Sequence, residues 1–513
     1  MPPASATSRA GPSAVTWAKV IDNTRCIGCH ACTTACKSEN QVPVGVTRTY
    51  VKYVDVGAFP AVRRSFQVTR CNQCEDAPCV AACPTAAMYR RPDGIVDFDK
   101  SICIGCKACI AACPYDAIFI NPEDHSAEKC NFCAHRLDMG LEPACVVVCP
   151  TEAIVVGDMN DPLSRLAAYV QRDAVAVRRP EKETRPKLFY KGAHQATLDP
   201  LAARRPEGGL FMWSEQGNVP HGVVAGHPGH ANSSAAAVVS YDVPHRAPWD
   251  WRVSLYTWTK SIAAGAFLVP VLLVFLGSLT WERNLVRWGI PLMGGTFLAL
   301  TGLLLIWDLE HPKRFLYVLL KPQPQSWLVR GGFIISGYGA VLALLFAGNF
   351  VTLGALGWWL VLAGIPLAAM TSIYTAFLFA QAKARDLWQS PLLPPHLLVQ
   401  AFLAGAAAFL PVAVWRQSPA VESLARLLAV SSAIHLLVVV GECTLTHVTA
   451  HARLALQEMT AGTYAPFFRA GIGLGVVGLL APWAPVPAAV LGTLGLLSFE
   501  HAYVQAGQSV PLA

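Results

Sequence analysis

The sequence predicts two unlike parts: an α+β cysteine-rich domain at the N-terminus, followed by an all-α bundle of eight transmembrane helices. Three observations carry this reading. Of 17 cysteines, 16 fall between Cys26 and Cys149. Only 14% of the 513 residues are charged and 53% are hydrophobic, far from the quarter charged that is usual in soluble domains. Charge divides along the same line, because residues 254–513 hold 13 Lys+Arg and 8 Asp+Glu while residues 1–253 hold 27 and 25. The net charge of +7 has no basic block behind it. A membrane protein needs lysine and arginine on its cytoplasmic face in any case, so nucleic acid is excluded as a partner.

Before the first cysteine, residues 1–18 are rich in Pro, Ala and Ser and are expected to form a disordered tail. Met1 to Trp17 contains neither the apolar stretch of a secretory signal nor a twin-arginine pair. The cysteine domain, expected over 19–165, therefore shows no export signal of its own.

The sixteen cysteines form four groups: Cys26, Cys29, Cys32, Cys36; Cys71, Cys74, Cys79, Cys83; Cys103, Cys106, Cys109, Cys113; and Cys130, Cys133, Cys145, Cys149. The first and third have the C-x2-C-x2-C-x3-C spacing of bacterial four-iron clusters. The other two stretch the middle interval and keep the final C-x3-C. Pro84, Pro114 and Pro150 follow the last cysteine of three groups, and Lys37 takes that place in the first. Three cysteines on a tight loop reach three irons of one cubane, and the fourth, on the next helical turn, points to the neighbouring cluster. Gly28, Gly105 and Ala108 leave room for backbone N–H groups at the sulfurs, one of the levers on cluster potential. A disulfide framework suits a small secreted chain, and zinc does not call for the regular third and fourth cysteines. Cys26-Ile27-Gly28-Cys29-His30 also matches a c-type haem attachment, but both cysteines belong to a longer pattern that recurs without histidine at Cys103.

On these residues the N-terminal half resembles the tandem ferredoxin-like, four-cluster electron-transfer subunits of the complex iron–sulfur molybdoenzymes, such as dimethyl sulfoxide, polysulfide and thiosulfate reductases. The resemblance implies four [4Fe–4S] clusters with exchanged fourth ligands: Cys26, Cys29, Cys32 with Cys149; Cys130, Cys133, Cys145 with Cys36; Cys71, Cys74, Cys79 with Cys113; and Cys103, Cys106, Cys109 with Cys83.

Residues 166–250 turn polar and Pro/Gly-rich, with Arg-Arg-Pro repeats and a stretch holding His221, His227 and His230. Such composition predicts a surface-wrapping or disordered linker, apart from Pro186 to Tyr190, which is expected to order against a partner subunit. No C-x2-C or H-E-x2-H arrangement supports the histidines as metal ligands.

From 251 onward, long neutral runs meet the roughly 20-residue requirement for a spanning helix. Eight are expected, near 254–280, 286–307, 328–348, 352–380, 393–415, 421–449, 466–482 and 485–506. An even count puts both ends of the bundle on one side. The loops on that side carry eight Lys/Arg and the opposite loops only Arg283, Arg287, Arg416 and Arg426. That bias favours a cluster domain on the cytoplasmic face of the inner membrane; relatives that face the periplasm keep the alternative open.

Ionisable residues inside lipid are functional-site candidates by default. Lys260, Asp308, His435, Glu442, Glu500 and His501 qualify here. His435 and Glu442 lie seven apart, two turns on one helical face, and suggest a polar stripe serving quinone or proton chemistry, with hydrogen bonding between helices as the competing role. Asp308 with Arg314 reads alternatively as an interfacial ion pair. Gly473 to Gly478 matches G-x-G-x-x-G inside an apolar span without a preceding strand, so close helix packing explains it better than a dinucleotide. Cys443 reads as packing.

Trp307 to Phe315, Ser326-Trp327, Tyr374 to Phe377 with Trp388 and Ser390, and the ending Gln505 to Leu512 make residues 251–513 resemble NrfD-like polysulfide-reductase membrane subunits. The resemblance implies exchange of electrons with menaquinone or ubiquinone, with Tyr256, Lys260, Asp308 and Tyr374 as candidates for the quinone site. The whole chain then reads as an electron-transfer and membrane-anchor subunit, working between the quinone pool and a separate molybdopterin (Mo/W bis-pterin) catalytic subunit. A hydrogenase or multihaem nitrite reductase as partner, or a proton-translocating coupling module, are the alternatives. Substrate chemistry falls to the partner, because no nucleophile or pterin site is legible in this chain.

Overall fold

The computed structural model describes residues 15–205, 236–281, 284–351 and 354–513. His221, His227 and His230, and the tail before residue 15, lie outside them.

The cysteine-rich domain is organised on short sheets. Strand Trp17–Asp22 sits between antiparallel Ile154–Asp158 and parallel Leu188–Lys191. Thr49–Val56 pairs with Arg63–Arg70 on one side and Val238–Tyr241 on the other. Two small ribbons, Met88–Arg90 with Val96–Phe98 and Ile118–Ile120 with Ala127–Lys129, back the second and third cysteine groups. Alternation is clear in Leu188–Lys191, where Leu188 and Tyr190 are buried on one face, the period-2 pattern of a half-buried strand, whereas Trp17–Asp22 between its two neighbours is buried almost throughout.

This placement differs from the expected linker. The described parts of 166–250 contain helix Arg165–Arg172 and strands Leu188–Lys191 and Val238–Tyr241, which complete the cluster domain's own sheets. Within Pro186 to Tyr190, the order comes from the chain itself, where Leu188–Lys191 pairs with Trp17–Asp22. Proline and arginine density hid a few apolar residues that suffice once two sheet edges wait to be covered.

The second half is helical: α1 Trp251–Phe275, α2 Gly289–Trp307, α3 Trp327–Ala347, α4 Ala355–Gln381, α5 Leu393–Trp415, α6 Val421–Thr444, α7 Ala465–Gly478 and α8 Pro485–Ser509. Among the described residues six helices, α1 to α6, are long and apolar enough to cross a membrane. α7 has 14 residues, and α8 carries Glu500, His501, Gln505 and Gln508. α6 stops at Thr444, short of the expected 449, and a separate helix, Ala450–Thr460, follows. Thr449 caps that helix by accepting from Ala452 N, the usual satisfaction of an orphan N-terminal donor.

α1 runs through the middle of the bundle. An added Cβ at Gly265 lies 1.9 Å from the Ala401 carbonyl oxygen, and Gly405 also packs directly against it, so only glycines let the α1 and α5 backbones meet. Such small-residue contacts hold membrane helices together where lipid removes the hydrophobic drive. Two of the three glycines from Gly473 to Gly478 act similarly, Gly475 against Gly495 and Gly478 against Gly492 of α8, while Gly473 faces open space. α2 and α3 instead turn Leu300, Leu303 and Phe333 outward, as lipid-facing helices do.

The cluster domain is fastened to one end of this bundle. Lys182 pairs with Asp386, Arg178 donates to Leu512 O at 3.1 Å, and Ser326 and Gln323 donate to the carbonyls of Ala82 and Val80. Trp388, 1% exposed, stacks on Phe379 at 4.6 Å and on Trp249 at 5.6 Å. Such pairs add about 0.5–1.5 kcal/mol each beyond burial.

His245 lies in the same junction. Its ring reaches Asp116 at 2.5 Å and Asp242 at 3.2 Å, and Asp242 also meets Arg205. Burial alone lowers the histidine's pKa, but the two carboxylates outweigh it and push it up to about 9. A raised folded-state value stabilises below the ordinary value near 6.5 and loses that stabilisation as pH rises through about 9. Thermal unfolding in detergent should therefore lose about 3 kcal/mol over that window, a loss that His245→Gln removes by lowering stability at pH 6 to the alkaline value. Parallel curves for the two proteins would show that the triad is not coupled to folding.

Candidate electron-transfer site

The cysteine loops are shaped by backbone conformation. Gly28 and His30 in the first group, and Gly105 and Lys107 in the third, all have positive φ (69°, 59°, 67° and 61°). Two chemically different residues, His30 and Lys107, thus occupy one turn geometry, as the shared spacing requires. The helices Ala31–Glu39 and Ala108–Ala112 then follow, the first carrying Cys32 and Cys36 and the second carrying Cys109 and ending at Cys113. At Gly105 an added Cβ meets Glu310 Cβ at 2.4 Å, so this glycine also admits the loop after α2.

The fold brings the thiols together across groups. Cys26 feels the charges of Cys149 and Cys29, and Cys32 those of Cys145, Cys26 and Cys149. Cys36, pushed up to about 12 mainly by burial, has Cys130, Cys145 and Cys133 as its charged neighbours, and the Asn40 amide lies 3.7 and 3.8 Å from the sulfurs of Cys36 and Cys133. Cys79 senses Cys71, Cys113 and Cys74; Cys109 senses Cys106, Cys83 and Cys103.

The surroundings fit iron–sulfur clusters held by thiolates. Backbone N–H groups of Met88, Ala127 and Ala153 donate to Cys83, Cys103 and Cys149 sulfurs at 3.3, 3.5 and 3.2 Å, the contacts that tune bound clusters. A cavity of about 20 Å³ is walled by Cys83, Cys103, Cys106 and Cys109. Arg70 donates to Cys145 Sγ at 3.1 Å while two of its nitrogens and the Lys19 ammonium, all buried, have no hydrogen-bond partner. Buried cations need a counter-charge, and a negatively charged thiolate cluster supplies one. Cys145 reflects this: burial pushes its pKa up, but Lys19 and Arg70 outweigh burial and hold it low. Among the described residues no three His, Cys, Asp or Glu side chains are placed to hold a single metal ion, and all 17 cysteines are free thiols.

In the bundle, a cavity of about 220 Å³ opens between α1, α2, α3 and α4 directly beneath the third cysteine group. Its wall includes Cys106, Trp249, Tyr256, Asp308 and Tyr374. Three of the residues expected at a quinone site thus share one cavity with a cluster cysteine. Trp249 Nε1 donates to the Cys106 carbonyl at 3.2 Å, and Lys107, the next residue, reaches Asp308 Oδ1 at 3.2 Å and Glu310 Oε1 at 3.2 Å. Asp308 therefore pairs with Lys107 and not with Arg314, whose guanidinium instead donates to the carbonyls of Lys100 and Cys103; the partner is a loop residue from another domain. Tyr256 keeps its buried hydroxyl without a partner.

The other expected residues lie off the wall. Lys260 is fully buried behind Tyr374, its ammonium 5.2 Å from that ring and donating to Thr375 Oγ1 at 2.7 Å and Ser372 O at 2.8 Å. His435 and Glu442 are joined not to each other but through His396 of α5, at 2.8 and 3.8 Å. Lys107, Trp249 and His396 were not singled out by the sequence. Lys107 is hidden by the cysteine spacing around it, and His396, just after Pro394-Pro395, had only its position in an apolar run as a signal. Cys443 is half-buried against its neighbours.

Residues 62–159 match the family model described as a 4Fe-4S dicluster domain, and residues 240–491 match that of polysulphide reductase, NrfD. A tetrathionate reductase subunit of Salmonella typhimurium is 43% identical over 203 residues, 39% of this chain and 80% of the relative. A polysulfide reductase component of Wolinella succinogenes is 44% identical over 176 residues, 34% and 92% of the two proteins. The thiosulfate reductase electron transfer subunit of Salmonella typhi is 50% identical over 143 residues, 27% and 74%. The protein belongs to this family of reductase iron–sulfur subunits. It carries the four-iron electron-transfer domain in one polypeptide with a multi-pass NrfD-type membrane domain.

Proposed function

We propose that this subunit passes electrons between a quinone bound in the 220 Å³ cavity and a separate molybdopterin catalytic subunit of the sulfur-reductase type. The observation that carries the reading is that Cys106 lies on the cavity wall together with Tyr256, Asp308 and Tyr374. When bound, four [4Fe–4S] clusters supply a chain of one-electron carriers. Their ligands are the sixteen cysteines in the sets that the resemblance implies: Cys26, Cys29, Cys32, Cys149; Cys36, Cys130, Cys133, Cys145; Cys71, Cys74, Cys79, Cys113; and Cys83, Cys103, Cys106, Cys109. Asp308, held by Lys107, offers a carboxylate to a quinone head group, and Tyr256 offers a free hydroxyl. The apolar remainder of the wall accommodates the ring and the start of its tail.

The catalytic partner docks at the opposite edge of the domain. Of the 17 cysteines, all among the described residues, Cys29 alone is exposed, and Ile27, Val147 and Val148 around the same set are exposed too. In this reading α7 and α8 complete an eight-span bundle in the inner membrane, and the arginine and lysine bias of the loops supports a cluster domain on the cytoplasmic face.

Protein purified without oxygen should contain about 16 irons, four per cubane, and should quench the fluorescence of a hydroxyquinoline N-oxide quinone analogue. About eight irons or no quenching contradicts the reading.

A further inference from the structure

A line of buried polar groups leads away from the quinone cavity. Lys260 lies behind Tyr374 of the cavity wall. One turn earlier on α1, Thr257 Oγ1 is 3.0 Å from Glu500 Oε2 of α8. Beyond Glu500 lies a second cavity, about 20 Å³, walled in part by Thr257, His396, Gln400 and Glu500. That is room for a water molecule, which needs two to four polar partners. The partners are present: Glu500 Oε1 and Gln400 Oε1 are both buried without a hydrogen bond, and buried polar atoms are seldom left unmet. From the far wall, His396 Nε2 touches His435 Nδ1 at 2.8 Å and His396 Nδ1 faces Glu442 Oε2 at 3.8 Å. Glu442 Oε1 then reaches Ser390 Oγ at 3.5 Å, in the loop whose Asp386 pairs with Lys182 of the cluster domain. The line therefore ends at the cluster-domain face of the membrane. Polar groups that only joined helices would close on one another, whereas Glu500 and Gln400 leave acceptors open around a cavity.

We propose that Glu500, a water in this cavity, His396 and Glu442 carry protons between the quinone cavity and the cluster-domain face. The inference rests on the quinone reading above. Oxidation of quinol breaks two O–H bonds and yields quinone, two electrons and two protons. The electrons leave for the iron–sulfur domain and the protons follow the line to the same side; reduction of quinone runs in reverse. Because both kinds of charge move to one side, this half-reaction shifts no net charge across the membrane.

The test uses the whole chain with its catalytic subunit in liposomes, cluster domain outward and the oxidised clusters as the only electron acceptor, with menadiol as donor and pH dyes inside and outside. Protons should appear outside in step with electron transfer. Glu500→Gln and His396→Leu should each slow both at least tenfold, with the KM for menadiol and the dithionite-reduced cluster spectrum unchanged. Proton release inside, or wild-type rates in both variants, overturns the route while leaving the quinone site standing. Failure of menadiol to donate to the unaltered complex overturns both. An experimental structure of the unaltered protein that resolves waters gives a separate readout: a water within hydrogen-bond reach of Glu500 Oε1 and Gln400 Oε1 is expected, and a dry cavity contradicts the route.

Discussion

Gly302→Leu is expected to abolish reduction of the clusters by quinol while leaving the protein folded and its iron content unchanged. Gly302 of α2 lies on the wall of the 220 Å³ cavity, and an added Cβ there meets nothing within 4 Å. A leucine side chain consequently enters the cavity without displacing backbone. Replacing glycine within a helix also improves local helical propensity by up to about 1 kcal/mol, so loss of function cannot be charged to unfolding. The expected drop in menadiol-driven cluster reduction is at least about 100-fold, equivalent to about 2.8 kcal/mol of lost binding, with dithionite reduction unaffected. Wild-type rates in this variant would move the quinone elsewhere.

The second large effect is expected at Cys106. Cys106→Ser removes one thiolate from the set with Cys83, Cys103 and Cys109 and should cost about four irons. Among the described residues Cys106 is the cysteine on the cavity wall, so reduction of the remaining clusters by menadiol should fall to background while dithionite still reduces them. Cys29→Ser at the exposed edge should do the opposite, sparing menadiol-driven reduction of the other clusters and blocking exchange with the catalytic subunit. Equal behaviour of the two variants, measured by electron paramagnetic resonance after each reductant, would contradict the order of the chain.

Those contrasts rest on positions that were legible to different degrees. Cysteine spacing is a local property, because a cubane fixes how far apart its ligands sit along a loop, and Gly28 and Gly105 marked where backbone can approach the sulfurs. Apolar run length is equally local, which is why helices α1 to α6 fall close to where expected. What escaped was set by tertiary contact. Leu188 to Tyr190 became a strand because the edge of Trp17–Asp22 was free to pair with it, and nothing within 166–250 shows that edge. Asp308 was visible as an acid at a helix end, but its partner Lys107 lies 201 residues away. His435 and Glu442 share a helical face as the period of 3.6 requires, yet the group that joins them, His396, belongs to another helix. Spacing shows which residues can act together along one element, and only packing shows which do so between elements.

The most direct measurement is the addition of menadiol, without oxygen, to the purified oxidised protein, followed by electron paramagnetic resonance of the clusters. Reduced [4Fe–4S] signals should develop, and the hydroxyquinoline N-oxide analogue should prevent them. Clusters that dithionite reduces and menadiol does not would contradict a quinone-linked electron relay in this chain.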